Sequence, residues 1–278
     1  MRVDGDTELI AHLGFPTHAF KAPLIYNPYF ESAGINALVV PMGCRAPEFP
    51  QMLRSLFRLE NIRGALITMP HKVRAAELVD ELSPTARVAG ACNAVKRAPS
   101  GRLIGDMFDG EGFVRALRRK GLELRGIDAL VVGCGGVGSA IAASLAAAGA
   151  SRLALHDIAP MCATALAQRL RAQYPQLQVD IGSNDPAGFG VVVNATPLGM
   201  SPGDALPLEV SRLEPRAFVG EVVMTAEVTE FLRQARARGC EVQPGADMLF
   251  EQIPAYLEFF GLPTTTAQNL RDLARLYP

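Results

Sequence analysis

The run Ala129-Leu-Val-Val-Gly-Cys-Gly-Gly-Val-Gly138, continuing into Ser139-Ala-Ile-Ala-Ala-Ser-Leu-Ala-Ala-Ala-Gly149, leaves few folds open to this chain. Four apolar residues feed glycines at G-x-G-x-x-G spacing, and alanine-rich helix formers continue to a terminating Gly149. A buried strand, a tight turn and a helix are predicted in that order. Gly133 permits the turn, Gly135 lets a pyrophosphate approach the backbone, and Gly138 lets helix and strand pack closely. The unpaired N–H groups around the helix start, over Gly133, Cys134, Gly135, Gly136, Val137 and Gly138, then face an anion. About 20 residues further on, after the apolar run Leu153-Ala-Leu-His156, stands Asp157. A carboxylate there hydrogen-bonds an adenosine ribose 2′-hydroxyl and repels a 2′-phosphate, so the expected cofactor is NAD in preference to NADP. The alternative is a glycine turn that merely packs a helix on a sheet.

The motif begins near the middle of 278 residues, so two domains are the natural division. With 27 basic against 28 acidic residues and no long Lys/Arg cluster, a nucleic-acid partner is not expected. The longest apolar stretch, after Ser139, falls short of a membrane span. The opening Met1-Arg-Val-Asp-Gly-Asp-Thr-Glu8 carries acids where a signal peptide needs an apolar core, so a soluble cytoplasmic protein is expected. Cys44, Cys92, Cys134, Cys162 and Cys240 form no C-x-x-C pair, which suits reduced, mostly buried thiols and implies no metal site. Cys134 is either a small apolar filler of the turn or a redox-sensitive thiol.

Ahead of the glycine turn, strands are predicted at Leu9–Leu13, Asn36–Val40 and Gly64–Thr68, with helices from Pro23 to Phe30 and from Pro47 to Leu59 between them. That alternation calls for a mostly parallel sheet covered by helices. A helix follows Met69-Pro-His-Lys72 and ends near Leu82-Ser-Pro84. Two short strands, Gly90–Lys96 and Gly101–Gly105, flank a Pro/Gly turn, and a helix runs from Gly112 to about Lys120. After the glycine turn come a helix from Met161 to Tyr174, strands at Leu177–Ile181, Val191–Asn194 and Phe218–Val223, a helix from Val228 to Arg238 and a strand at Cys240–Val242. Helices from Gly245 to Phe260 and from Thr264 to Leu276 close the chain.

Thr68, Lys72, Asn93 and Asp109 fall at or just past predicted strand ends, where open parallel sheets bind ligands. A lysine facing a bound alcohol suits hydride chemistry, because the hydroxyl proton needs an acceptor as hydride leaves carbon, and a paired carboxylate can hold that lysine. Read singly, Lys72 is equally a solvated cation at a helix start and Asp109 a turn or cap residue.

Seven separated motifs resolve that ambiguity. Gly64-x-x-x-Thr-x-Pro-His-Lys72, Gly90-Ala-Cys-Asn-Ala94, Gly105-Asp-x-x-Asp-Gly110, the glycine turn, Asn194-Ala-Thr-Pro-Leu-Gly-Met200, Glu221-Val-Val followed by Thr229, and Gly245-x-x-Met-Leu-x-x-Gln252 stand in the order found in the shikimate/quinate dehydrogenase family, which the chain resembles over nearly its whole length. The resemblance implies an α/β protein of two domains. Residues 1–108 form a substrate-binding catalytic domain to which residues 245–278 return, and residues 109–244 form a Rossmann-type, doubly wound dinucleotide domain. It implies Lys72 and Asp109 as the catalytic pair, and Thr68, Asn93 and Gln252 as contacts to substrate hydroxyls. Asn194, Thr196 and Pro197 match the loop under the cofactor ribose, while Val222, Gly245 and Met248 belong to the segments that reach the nicotinamide.

Where NADP-using members carry Asn-Arg-Thr, this chain has His156-Asp157-Ile158, which fits the NAD expectation. Where the family has two hydroxyl residues that bind the substrate carboxylate, the chain has Phe20-Lys-Ala-Pro23, with only Lys21 between Phe20 and Ala22 as a compensating charge or a solvated side chain. Leu66, Ala94, Met107-Phe108 and Met224 replace further polar family residues. The reading is therefore an NAD-dependent dehydrogenase acting on shikimate, quinate or a related cyclic polyol, as a monomer or homodimer. A less acidic or amino-substituted ring substrate, or a catalytically weak NAD-binding regulator, are its rivals.

Overall fold

The computed structural model describes residues 3–224 and 228–275. Met1, Arg2 and the helix end expected at Leu276 lie outside the described residues. In chain order the strands are β1 (Glu8–Gly14), β2 (Ala37–Gly43), β3 (Ile62–Ile67), β4 (Glu81–Leu82), β5 (Ala94–Arg97), β6 (Leu103–Asp106), β7 (Asp128–Val132), β8 (Arg152–His156), β9 (Gln178–Ile181), β10 (Val191–Asn194), β11 (Phe218–Glu221) and β12 (Glu241–Gln243). The helices are α1 (Ala22–Ala33), α2 (Phe49–Leu56), α3 (Lys72–Leu78), α4 (Pro84–Ala89), α5 (Asp109–Arg119), α6 (Gly136–Ala147), α7 (Pro160–Gln173), α8 (Glu230–Ala237), α9 (Gly245–Phe260) and α10 (Ala267–Leu273). They form two compact α/β units. The first takes the chain up to Ala86, Gly90–Phe108 and everything from Ile253, and the second takes Arg87–Ala89 and Asp109–Gln252.

The sheet of the first unit has the order β2-β1-β3-β5-β6-β4. The expectation of a mostly parallel sheet holds for β2, β1 and β3, but β5 runs antiparallel to both β3 and β6. The reason is local: the tight turn after Arg97 returns the chain at once, and only an antiparallel pair can be joined so briefly. The helix expected from Lys72 to near Leu82 stops at Leu78. Asp80 donates its N–H to the Leu103 carbonyl at 2.9 Å and accepts the Leu103 N–H on Oδ2 at 2.7 Å, so strand pairing of β4 with β6 outcompetes the helix propensity of this stretch. A further helix, α4, then starts under Ser83, whose hydroxyl accepts the Ala86 N–H at 3.1 Å ahead of a proline in the first turn.

The C-terminal segment is tied into this same unit. Tyr29 donates its hydroxyl to the Pro263 carbonyl at 2.8 Å, and Arg63 donates to the carbonyls of Phe260 (2.6 Å) and Gly261 (2.8 Å). Lys96 lies 4.3 Å over the Phe259 ring while bonding the carbonyl of that residue at 2.7 Å. Phe108 meets Tyr256 and Phe259 edge-on, with ring centroids 4.9 and 5.5 Å apart.

The second unit carries an all-parallel sheet in the order β12-β11-β10-β7-β8-β9, a doubly wound Rossmann arrangement. Its central strands read as unbroken apolar runs because both of their faces are covered. β7 and β10 lie side by side where the winding reverses, so the loops that leave them flank a crevice. The helix α5 begins at Asp109, three residues before the predicted start, and packs against α6 closely enough that a Cβ on Gly110 would overlap the Ala140 carbonyl oxygen. The sequence puts the last domain boundary at Gly245; the units instead divide at Ile253, inside α9. The first turns of that helix are held by ion pairs from Lys120 to Asp247 (3.0 Å) and from Arg119 to Glu251 (2.6 Å), and Gly112 packs directly on Met248 and Gln252.

Among the described residues no helix is long and apolar enough to cross a membrane, and no group of three or more His, Cys, Asp or Glu side chains is arranged to hold a metal ion.

Replacing Arg63 by Met removes both carbonyl bonds to the C-terminal segment and the ion pair to Glu8. The expected cost is about 1–3 kcal/mol, a fall of roughly 2–4 °C in Tm per kcal/mol. Differential scanning calorimetry checks it, and an unchanged melt would show that α10 and the aromatic cluster hold the segment alone.

Candidate active site

In the first unit, β1, β2 and β3 run parallel and therefore end at one edge. The antiparallel strand β5 begins at that same edge, which brings Asn93 beside the exit of β3, where its carbonyl accepts the Ile67 N–H at 2.8 Å. Asn93 is 1% exposed, and its Oδ1 accepts the Phe108 N–H at 2.9 Å. Thr68 follows β3; its N–H bonds the Leu13 carbonyl at 2.9 Å, and its methyl lies where a Cβ on Gly14 would be. The loop then crosses Met69-Pro70 to His71, which is buried, stacks flat on Phe49 with centroids 4.1 Å apart, and places Nε2 2.8 Å from the Cys44 carbonyl. That anchor fixes Lys72, the half-buried first residue of α3, whose carbonyl accepts the Cys92 N–H at 3.0 Å.

Phe20 comes to this edge as well, since its Cζ stands 2.9 Å from the Cβ position of Gly14. Ala22 opens α1 half-buried, and Lys21 stands exposed at the N-cap of that helix. One residue of the group passed unremarked in the sequence, His12. It stacks on Phe20 with centroids 4.0 Å apart, is 9% exposed, and its Nδ1 has no hydrogen-bond partner among the described residues. Burial first, and then the nearby charge of Lys72, lower its pKa to about 4, so the ring is neutral at pH 7. The signal was a lone polar residue in the apolar run of β1. Leu66, Ala94, Met107 and Phe108, which replace polar residues of the related family, are all buried.

In the second unit, Gly133 has φ +98°, and a Cβ there would lie 2.7 Å from the Ala195 carbonyl. A Cβ on Gly138 would overlap the Gly133 carbonyl oxygen. Gly135, at the N-cap of α6, is different: its Cβ position meets nothing within 4 Å, and both it and Gly136 are exposed. Open space in front of bare N–H groups at the start of a 12-residue helix is the cradle a pyrophosphate requires, so the residues fit a dinucleotide. Val137 is half-buried against the core. Cys134 is buried, and burial together with the Asp157 charge pushes its thiol up to about 12, which leaves it a filler rather than a reactive thiolate.

Asp157 is tied into the turn by its carboxylate. One carboxylate oxygen accepts the Cys134 N–H at 2.7 Å and the other the Ala159 N–H at 2.8 Å. Asn194 is fully buried; its amide bonds the Leu198 carbonyl at 3.0 Å, and its Oδ1 accepts from the Thr196 hydroxyl at 2.6 Å, so these two side chains shape the loop that ends in exposed Pro197. Gly245 enters α9 so close to the chain after β11 that a Cβ would overlap the Val223 carbonyl oxygen and approach Val222 C to 2.7 Å. Met248 is buried, and Gln252, 8% exposed, packs on Gly112 with its Oε1 lacking a hydrogen-bond partner among the described residues. Asp109, 5% exposed, sits in the first turn of α5 in this unit, whereas Lys72 belongs to the first. At the end of β11, Glu221 is fully buried and accepts the Thr229 hydroxyl at 2.9 Å; burial raises its pKa to about 7.

The shikimate dehydrogenase substrate binding domain profile matches residues 13–95. A shikimate dehydrogenase (NADP(+)) of Rubrobacter xylanophilus is 38% identical over 255 residues, covering 90% of this chain and 89% of its own. A shikimate 5-dehydrogenase of Listeria monocytogenes, solved with shikimate and NAD, superposes with a TM-score of 0.91 at 24% identity over 98% of both chains. A 5-ketofructose reductase of Gluconobacter sp. strain CHM43 gives a TM-score of 0.86 at 25% identity, over 96% of this chain and 99% of its own. Seven further curated relatives, 30–34% identical, also carry the name shikimate dehydrogenase (NADP(+)). These names overturn the preference for NAD over NADP expected from Asp157. Each oxygen of Asp157 accepts one backbone N–H, so the acid also has a structural task at that position and its presence alone does not decide the cofactor.

Gly138→Ala is expected to destabilise the protein by about 1–3 kcal/mol, read as a lowered Tm, while Gly135→Ala leaves Tm unchanged; equal melts for the two would contradict the packing described. Glu221 gives a pH signature. The folded protein holds this proton up to about pH 7, while the unfolded carboxyl titrates at 4.5, so the contribution is complete below pH 4.5 and is lost as pH rises through about 7. Urea titrations across that range should show the decline in wild type and its absence in Glu221→Gln.

Proposed function

The chain belongs to the shikimate dehydrogenase family, and we propose that it catalyses reversible hydride transfer between a nicotinamide dinucleotide and a ring hydroxyl of shikimate, quinate or a related cyclic polyol. The observation that carries this reading is the placement of Lys72 at the strand-end edge of the first unit with Thr68 and Asn93, held there by buried His71. The cofactor supplies the hydride acceptor or donor when bound. The N–H groups of Gly135, Gly136 and Val137 would receive its pyrophosphate, the Asn194–Pro197 loop its ribose, and Val222, Gly245 and Met248 its nicotinamide end. The names of the curated relatives support NADP as that cofactor.

In the oxidative direction the ring C–H bond breaks with its electron pair, the hydroxyl proton passes to Nζ of Lys72 in its neutral form, and a ketone forms; in reduction the Lys72 ammonium gives that proton to the carbonyl oxygen. The resemblance to the family supports Asp109 as the carboxylate of the reaction. Thr68 and Asn93 hydrogen-bond the remaining hydroxyls and fix which carbon reacts, and the resemblance to the family supports Gln252 as a further hydroxyl contact. Phe20 and Ala22 offer no hydroxyl to a carboxylate, so shikimate itself is expected to be a poor substrate beside those of ordinary family members.

Lys72→Ala and Asp109→Ala are each expected to lower kcat by about 10²–10⁴-fold with melts close to wild type. NADPH should outperform NADH in kcat/KM. Either variant retaining wild-type kcat would remove that residue from the mechanism, and equal or better use of NADH would remove the NADP assignment.

A further inference from the structure

The strand-end edge of the first unit holds a hydrogen-bonding group that the mechanism leaves unused. His12 lies in the middle of the sheet on β1, between β2 and β3, where an apolar residue would pack without cost. Its ring is stacked on Phe20, which closes in on Gly14 together with the Thr68 methyl, and it feels the Lys72 charge. A buried polar atom with no partner is costly, and natural sites that tolerate one commonly satisfy it with a ligand.

We propose that the His12 imidazole, backed by the Phe20 ring, hydrogen-bonds a hydroxyl of the substrate and makes this a site for uncharged polyols in preference to ring acids. The inference rests on the dehydrogenase reading of the same site and names its substrate class. A neutral imidazole presents one donor and one acceptor, which is the complement of a hydroxyl group. A carboxylate instead needs several donors or a cation to replace its water. Phe20, stacked on His12, is a ring and Gly14 bare backbone, while at the start of α1 Ala22 offers a methyl and Lys21 is exposed. Lys72 is a cation that acts on His12, and the proton transfer uses it. With burial, its charge also keeps the imidazole neutral, so His12 offers a carboxylate no cation of its own. The flat face of Phe20 meanwhile suits the C–H face of a sugar-like ring.

The test uses the full chain with NADPH or NADP, 5-ketofructose as the uncharged probe and shikimate as the acid. Wild type should turn over 5-ketofructose with at least tenfold higher kcat/KM than shikimate. His12→Leu should raise KM for 5-ketofructose about tenfold, the equivalent of one lost hydrogen bond, with a smaller change in kcat and none in KM for shikimate. His12→Gln, which keeps a donor and an acceptor, should recover part of the loss and carries the test if His12→Leu fails to fold. KM for 5-ketofructose within twofold of wild type in a folded His12 variant overturns the inference. Turnover of shikimate but not of 5-ketofructose also overturns it while leaving the dehydrogenase reading intact. Turnover of neither probe by a wild type that binds NADPH overturns both.

Discussion

Gly138 has no space for a side chain, because the first atom of one would overlap the carbonyl oxygen of Gly133. The second unit is arranged around that contact. Gly133 reaches its positive φ under the backbone of Ala195, Gly133 N–H bonds the His156 carbonyl at 2.8 Å, and Ala195 N–H bonds the Val132 carbonyl at 2.7 Å. The exits of β7, β8 and β10 are thereby fixed by one turn, and Asp157 ties the same turn from the end of β8 through the Cys134 N–H. Strands that end in register place bare N–H groups and loop residues around one crevice, which is why the open space at Gly135 falls where the winding of the sheet reverses.

The first unit reaches a comparable result by mixing strand directions. Were β5 parallel to β3, Asn93 would begin at the opposite edge from Thr68 and Lys72. The reversal brings Asn93 between the exits of β3 and β6, where its backbone bonds Ile67 on one side and Asp106 on the other. Ser83 supports the arrangement from beneath, its hydroxyl donating to Asp106 while it caps α4. A buried asparagine with its backbone and its side-chain oxygen so committed can hold the remaining amide in one orientation, and rigidity of that kind is what hydroxyl recognition requires.

Legibility in the sequence followed from how much of each signal was local. The strand Ala129–Val132, the helix after it and the strand Val191–Asn194 were readable because a strand covered on both faces is an unbroken apolar run and a helix against it is built of small residues. Lys72, Asn93, Thr68 and Asp109 stood out through their places past predicted strand ends and through the resemblance to the family's motifs. What was missed depends on partners distant in the chain. The segment Val79–Leu82 has acceptable helix formers, and only Leu103 and Gly105, some twenty residues on, draw it into a strand. His12 reads as an interruption of β1 until Phe20 and Lys72 come to its side. Asp157 was the sharper lesson, because its identity was legible and its structural task was not: each of its oxygens accepts a backbone N–H.

The distribution of charge at the first unit's edge has a single logic. Lys72 is half-buried beside an imidazole, and a buried pair of like charges is expensive, so one of the two groups must stay neutral. The imidazole is the group that yields, since its ordinary pKa lies far closer to neutrality than that of a lysine. The neutral ring then stacks against Phe20 with centroids 4.0 Å apart, a contact in which a charged ring would have to give up most of its hydration. The neighbouring positions follow the same rule: Leu66, Ala94 and Met107 are buried and apolar, so the polar groups at this edge work against a background of low polarity. Low polarity strengthens each hydrogen bond a ligand makes there and raises the cost of bringing in a second charge. The wall that makes a hydroxyl contact to His12 worthwhile is therefore the same wall that disfavours a carboxylate beside it.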